Sequence, residues 1–239
     1  MATFVLVHGA WHGAWCWARV APRLRAAGHT VFTPTMTGFG ERSHLLSPEV
    51  GLELNVTDIA NVLLWEDLTD VVLVAASYAG MVTTSVADRM PERISALVYQ
   101  NAFIAEDGVA QNDLLPDWRR EMIEKEIAED PDAWRMPPPE PSLIGVTDPA
   151  DAAWIKAKMT VQSAKTFMDK ARITGAHKAI ASRTYIRATG YRNSTFDRYV
   201  AEAQADPGWR AEILDTSHDA MITAADEIVR ILLSVADEL

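Results

Sequence analysis

Cysteine is nearly missing: Cys16 stands alone among 239 residues. That excludes a disulfide framework and any zinc site built on paired thiolates, and nothing ties the chain to an oxidising compartment. Positive charge is also scarce. Lys and Arg number 22 against 33 Asp and Glu, a net charge of −11. Such a chain is a poor partner for nucleic acid or an anionic membrane, and the surplus is read as serving solubility. No apolar run approaches the roughly 20 residues of a membrane span. Met1–Gly9 has neither a basic segment nor a long apolar one, so it is not read as a signal peptide. A cytoplasmic protein is expected. Internal repeats and low-complexity segments are absent. What is present is apolar: 49% of residues, enough for a large core in a single domain spanning 1–239.

Taken in order, Thr3–Val7 reads as a buried strand running into a loop, His8–Trp17, that holds two glycines and three tryptophans. Helical spacing follows over Trp17–Ala27, closed by Gly28. Val31–Pro34 reads as a strand, Leu52–Trp65 as a helix with one apolar face, Val71–Val74 as a strand, and the segment after Gly80 as a helix ending at Pro91. Ile94–Tyr99 is the next strand. This alternation predicts a doubly wound, mainly parallel α/β sheet. The rhythm then breaks. Between about 107 and 183 no strand is convincing. Two helices, Trp118–Ala128 and one opening at Asp148-Pro149, flank a proline-rich connector. A small, partly helical cap over the sheet edge is expected there. Thr184–Ala188 and Trp209–Leu214 resume the strands, and an amphipathic helix over Ala224–Leu239 closes the chain.

The chemistry is expected at Ser77. Val71–Val74 leads into the small-residue turn Ala75-Ala76-Ser77-Tyr78-Ala79-Gly80 and then a helix, the strand–turn–helix layout of a nucleophile elbow. The usual Gly-x-Ser-x-Gly is here Ala75-Ala76-Ser77-Tyr78-Ala79, with alanine less suited than glycine to a strained turn. Ser77 needs a base. His218 follows the last strand, on the same carboxyl edge of the sheet as the elbow, and serine first, histidine last is the chain order of this architecture. His8 and His12 are expected to organise their loop. His29, His44 and His177 are expected at the surface or in packing. His8 and His12 stand four apart in a loop rather than on a helix, so no metal is expected. The oxyanion donors are expected to be the backbone N–H groups of Tyr78 and Ala10. Trp11 and Tyr78 are expected to line the pocket, and Trp15 and Trp17 to pack in the core.

Val5–Trp17, Ser77-Tyr-Ala-Gly-Met81, Leu97–Phe103 and Ser217–Met221 together resemble the α/β-hydrolase superfamily over essentially the whole chain. The similarity is to its small plant-type esterases and hydroxynitrile lyases and their bacterial relatives, which include hydrolases of pyrethroid esters and benzimidazole carbamates. The resemblance implies the α/β-hydrolase fold, Ser77 as nucleophile, His218 as base, and Ala10 and Tyr78 as oxyanion donors. It also exposes a departure. The loop after Tyr185–Ala188, where the superfamily usually holds an acid, has no carboxylate, and the alternative acid slot, 24 residues past Ser77, is Asn101. Glu106, Asp107, Asp197 and Asp215 are the other carboxylates considered.

These readings favour a serine hydrolase acting through an acyl-enzyme on a small apolar or aromatic ester, carbamate or amide, with no cofactor. Asn101 is expected to orient His218 through its carbonyl oxygen. Substrate contacts are expected from Trp11, Phe103 and the cap residues Trp134 and Trp154. The partner is a small-molecule substrate, with a homodimer admitted. Two alternatives are a hydroxynitrile lyase, which would favour a pocket lysine, and a degenerate binding protein that has lost its acid.

Overall fold

The computed structural model describes residues 1–239. Its centre is a six-stranded sheet in the order β2-β1-β3-β4-β7-β8, made of β1 (Thr3–Val7), β2 (Thr30–Phe32), β3 (Val71–Ala76), β4 (Ile94–Gln100), β7 (Ser182–Ala188) and β8 (Trp209–Leu214). Every pairing is parallel. β3 is buried at every position, which is why its sequence is an unbroken apolar run.

Alternation along the strands splits the core in two. Val5, Leu73, Leu97 and Tyr185 face one layer, against α2 (Leu52–Trp65), α3 (Ala79–Arg89) and α7 (Ser194–Ala205). Phe4, Val72, Val98 and Ile186 face the other, against α1 (Ala21–Ala26) and α9 (Ala225–Asp237). The helix after β1 therefore lies on the opposite face from the helix after β3, although the two strands are neighbours. Their outgoing loops diverge, and a crevice opens between them at the carboxyl edge.

The expected helix over Trp17–Ala27 is shorter than its spacing suggested. Ala14–Trp17 forms a 3-10 turn, and α1 starts only at Ala21, with Pro22 in the first turn where its missing N–H costs nothing. Between β4 and β7 lie the helices α4 (Asp117–Glu129), α5 (Pro149–Lys158) and α6 (Lys165–Met168). Asp148 caps α5, its carboxylate accepting from the N–H groups of Ala150 and Asp151. The expectation of no strand here is corrected by a two-stranded antiparallel ladder, β5 (Arg135–Met136) with β6 (Gln162–Ser163). Two residues per strand are too few to leave a periodic signal. A four-residue helix, α8 (Ala220–Thr223), precedes α9.

Asp88 anchors the end of this inserted segment. Buried at the foot of α3, it accepts from the backbone N–H of Thr174, Gly175 and His177, from the Thr174 hydroxyl and from the His177 ring. Burial raises its cost of ionisation, but these five donors hold its carboxyl well below the usual range. No helix is long and apolar enough to cross a membrane.

Candidate active site

Three of the five non-glycine residues with positive φ lie where β1, β3 and β4 end: Trp11 at 61°, Ser77 at 55° and Asn101 at 41°. Such backbone costs roughly 1–3 kcal/mol per residue and persists only where the surroundings enforce it. At Ser77 they do. Its N–H donates to the Gln100 carbonyl at 3.2 Å, and its carbonyl accepts from Phe103 N–H at 3.1 Å. Gly9 passes so close that a β-carbon there would meet Ser77 Cβ at 3.0 Å. A β-carbon at Gly80 would collide with the Phe103 carbonyl. The elbow thus tolerates alanine at 75 and 79 because glycines at 9 and 80 take the two tight approaches.

Ser77, Ala10, Trp11, His12, Phe103 and His218 line one cavity of about 250 Å³. The N–H groups of Ala10 and Tyr78, both on buried residues, find no acceptor in the chain. Trp11 N–H is taken: it donates to Gln162 Oε1 at 2.9 Å. The Trp11 carbonyl accepts from Thr160, and the indole N–H reaches the Met136 carbonyl at 3.2 Å. Through Trp11 the small β5–β6 ladder is tied to the loop after β1.

Both imidazoles of that loop are held. His8 donates from Nδ1 to the Gly9 carbonyl and accepts Met36 N–H at Nε2. Burial pushes it to about 3, so it is neutral. His12 donates from Nδ1 to the Ala10 carbonyl at 2.6 Å and from Nε2 to Asp219 at 3.0 Å. Burial opposes its charge, yet the Asp219 carboxylate raises His12 above the ordinary value and is itself lowered by it. The result is a buried imidazolium–carboxylate pair clamping the Ala10 loop to the His218 turn. The two residues are 207 positions apart, and no local pattern couples them, although His12 stands in the loop after β1 and Asp219 beside His218.

His218 is framed by Tyr191, whose ring centroid lies 4.7 Å away, and by Phe196, stacked within 6° at 5.8 Å. Its carbonyl accepts from Gln100 Nε2 at 2.7 Å and its N–H donates to Ile144. Withdrawal from water lowers His218 to about 4. Asp219 pulls the other way, while His12, Arg187 and Arg119 add to the fall. The Ser77 hydroxyl is half-buried and makes no hydrogen bond within the chain.

Asn101 reaches His218, but not as expected. Its Oδ1 accepts from Ala188 N–H at 2.9 Å and from Arg187 Nη1 at 3.3 Å, and its Nδ2 donates to the Ala188 carbonyl at 2.9 Å. The two polar groups of Ala188 therefore set the amide, and turning it over would oppose like to like. What faces His218 Nδ1, at 3.3 Å, is the amide nitrogen. The carbonyl orientation expected from sequence is corrected.

The other carboxylates considered do not touch the ring. Asp107 caps Ile173 N–H, Asp197 pairs with Arg187, Glu106 with Arg198, and Asp215 is exposed. Two substrate contacts are also corrected. Trp134 lies under the Arg135 guanidinium, and Trp154 packs edge-on against Trp15 beneath Arg19; neither lines the cavity. The Tyr78 side chain points away too, stacked between Phe39 and Phe167 with its hydroxyl on Asn55. The wall is instead completed by residues whose context gave no signal: Gln111, Leu115, Trp118, Arg119 and Met122. No cluster of metal-binding side chains occurs.

Comparison with known proteins agrees with this fold. Residues 4–231 match the Alpha/beta hydrolase family. A carbendazim hydrolyzing esterase of Nocardioides sp. (strain SG-4G) is 37% identical over 98% of this chain and 100% of its own length. Methylesterase 7 of Arabidopsis thaliana is 37% identical over a shorter stretch, 42% of this chain and 40% of the relative. The solved structure of an extracellular alpha/beta-hydrolase from a Paenibacillus species superposes with a TM-score of 0.86 at 21% identity, covering 98% of this chain and 99% of that one. The chain belongs to the alpha/beta hydrolase family.

Proposed function

We propose that the protein is a serine hydrolase that cleaves small aromatic or apolar carboxylic esters or carbamates through an acyl-enzyme. One observation carries the reading. Ser77 stands on a left-handed elbow in one cavity with His218, and two backbone N–H groups beside it, on Ala10 and Tyr78, have no acceptor. Buried donors are rarely left unpaired in a folded chain unless a ligand takes them.

Ser77 Oγ attacks the carbonyl carbon as His218 removes its proton. The oxyanion forms against Ala10 and Tyr78 N–H. His218 returns the proton to the departing alcohol or amine, and water repeats the sequence to free the acid. His12 acts at one remove, fixing Ala10 through its carbonyl. Asn101 positions His218 and, offering a donor to Nδ1, holds the base below its full strength.

Full-length similarity to an esterase that hydrolyses carbendazim supports an aromatic ester or carbamate as substrate. Phe103, Tyr191 and Phe196 give the cavity the matching aromatic wall. No lysine lines it, which places a hydroxynitrile lyase reading behind.

The test is fluorophosphonate labelling followed by mass spectrometry of the Ser77 peptide, with Ser77→Ala as control. A single adduct on Ser77, and a Ser77→Ala protein that melts cooperatively without turnover, are expected. Parent-like turnover by Ser77→Ala ends the serine mechanism.

A further inference from the structure

Two polar side chains of the cavity wall, Gln111 and Arg119, have no hydrogen-bond or ion-pair partner in the chain. Gln111 is 3% exposed and its carboxamide makes no hydrogen bond; Oε1 is sealed from water, which leaves Nε2, a donor, as the open group. Arg119, in the first turn of α4, forms no ion pair and no side-chain hydrogen bond; its Nε is sealed, which leaves the two terminal Nη groups as the open donors. Both line the cavity that holds Ser77. The Arg119 charge also reaches His218, which places the guanidinium within electrostatic range of the reacting groups.

An unpaired amide in a buried wall is costly unless a ligand takes it. A lone guanidinium presents a rigid fork of donors suited to a planar acceptor. The rest of the cavity supplies walls for a ring: Phe103, Tyr191 and Phe196 on the His218 side, Leu115 and Trp118 on the α4 side. The cavity's other charges, His12 and Asp219, neutralise each other. Its uncompensated charge is therefore the single positive one of Arg119.

We propose that Arg119 and Gln111 are the specificity-determining pair of the active-site cavity, and that they recognise a hydrogen-bond acceptor carried on the aromatic part of the substrate. The substrate class is then an ester or carbamate of a ring bearing a ring nitrogen, carbonyl or carboxylate, rather than a plain hydrocarbon ring. This rests on the serine-hydrolase reading for the bond that is cleaved, but not for the binding itself.

The test separates the two. Calorimetric binding to the intact chain uses three non-ester probes that differ only opposite the amide: 4-carbamoylbenzoate, 4-acetylbenzamide and 4-methylbenzamide. The first offers an anionic acceptor, the second a neutral one, the third none. At least one acceptor-bearing probe is expected to bind about tenfold or more tighter than the methyl probe. Arg119→Met is expected to bring that ratio to within about threefold. Arg119→Lys, which keeps charge without the fork, is expected to restore a preference for the carboxylate alone if the acceptor is anionic, and none if it is neutral. Gln111→Leu reports the amide's share, and circular dichroism confirms that each variant is folded. Equal binding of the three probes by the parent, absence of binding by all three, or a preference that survives both Arg119→Met and Gln111→Leu overturns the proposal. Turnover of the corresponding methyl esters is scored separately. Its failure counts against the hydrolase reading and leaves the binding result to stand or fall alone.

Discussion

Exchanging Asn101 for aspartate changes which nitrogen of His218 carries the proton. The present amide points its nitrogen at Nδ1, 3.3 Å away, so Nδ1 accepts and the ring proton rests on Nε2. That is the nitrogen that has to receive the Ser77 proton. In a serine-protease triad the opposite exchange, Asp to Asn, costs about 10⁴ in kcat through this same misplaced proton. The ceiling on the gain is therefore about 10⁴. Against it stands the Ala188 carbonyl, which now accepts from Nδ2 at 2.9 Å and would face a carboxylate oxygen instead. Losing that bond costs about 1–3 kcal/mol of folding stability and loosens the side chain's hold on His218, which keeps the gain in rate below the ceiling. The Arg187 guanidinium, 3.3 Å from Oδ1, offsets part of the new charge. Asn101→Asp is expected to raise kcat/KM for an aryl ester by about 10²–10³. The pH profile carries a second signature. His218 must be neutral to act, so the rate falls as pH drops through its pKa. In the parent this limb lies near 4, lowered chiefly by burial. A carboxylate beside Nδ1 stabilises the imidazolium and moves the limb upward. Nitrogen NMR on labelled histidine reads the tautomer directly. Unchanged kcat/KM and an unmoved acid limb in Asn101→Asp, or a parent ring protonated at Nδ1, would refute the reasoning.

Asp219→Ala leaves the His12 ring buried without its counter-ion and is expected to cost about 3–5 kcal/mol, read as a fall in denaturant midpoint. Asp88→Ala removes the acceptor of five donors at the return of the inserted segment, and is expected to increase proteolysis near Thr174 before global unfolding. In the parent, Asp88 has a depressed folded pKa, so its contribution is complete above the unfolded value near 4 and is lost as pH falls below that; acid melts of parent and Asp88→Asn are expected to converge at low pH. Trp118→Ala, in the cavity wall, is expected to raise KM severalfold, whereas Trp154→Ala, packed on Trp15 outside it, is expected to lower melting temperature with KM unchanged.

The strand–helix alternation, the elbow and the position of His218 after the last strand were legible in the residues because each is local. An unbroken apolar run such as Val71–Ala76 has to be buried on both faces, and a serine between that strand and a helix has one way to turn. The Asp148-Pro149 helix start was legible for the same reason, since a cap accepts from the N–H groups two and three residues on. What tertiary structure alone decided lies across long separations. Asn101 was visible as a position, but its amide orientation is set by Ala188, 87 residues on. The His12–Asp219 pair depends on the loops after β1 and β8 meeting at the carboxyl edge, and neither residue carries a local sign of the other. Tryptophan type alone could not tell Trp118, in the cavity, from Trp134 and Trp154, outside it. Hydrophobic spacing specifies which face of an element is covered. Only the packed chain specifies what covers it, because side-chain partners are chosen by distance in space, and that distance is set by how the whole sheet winds.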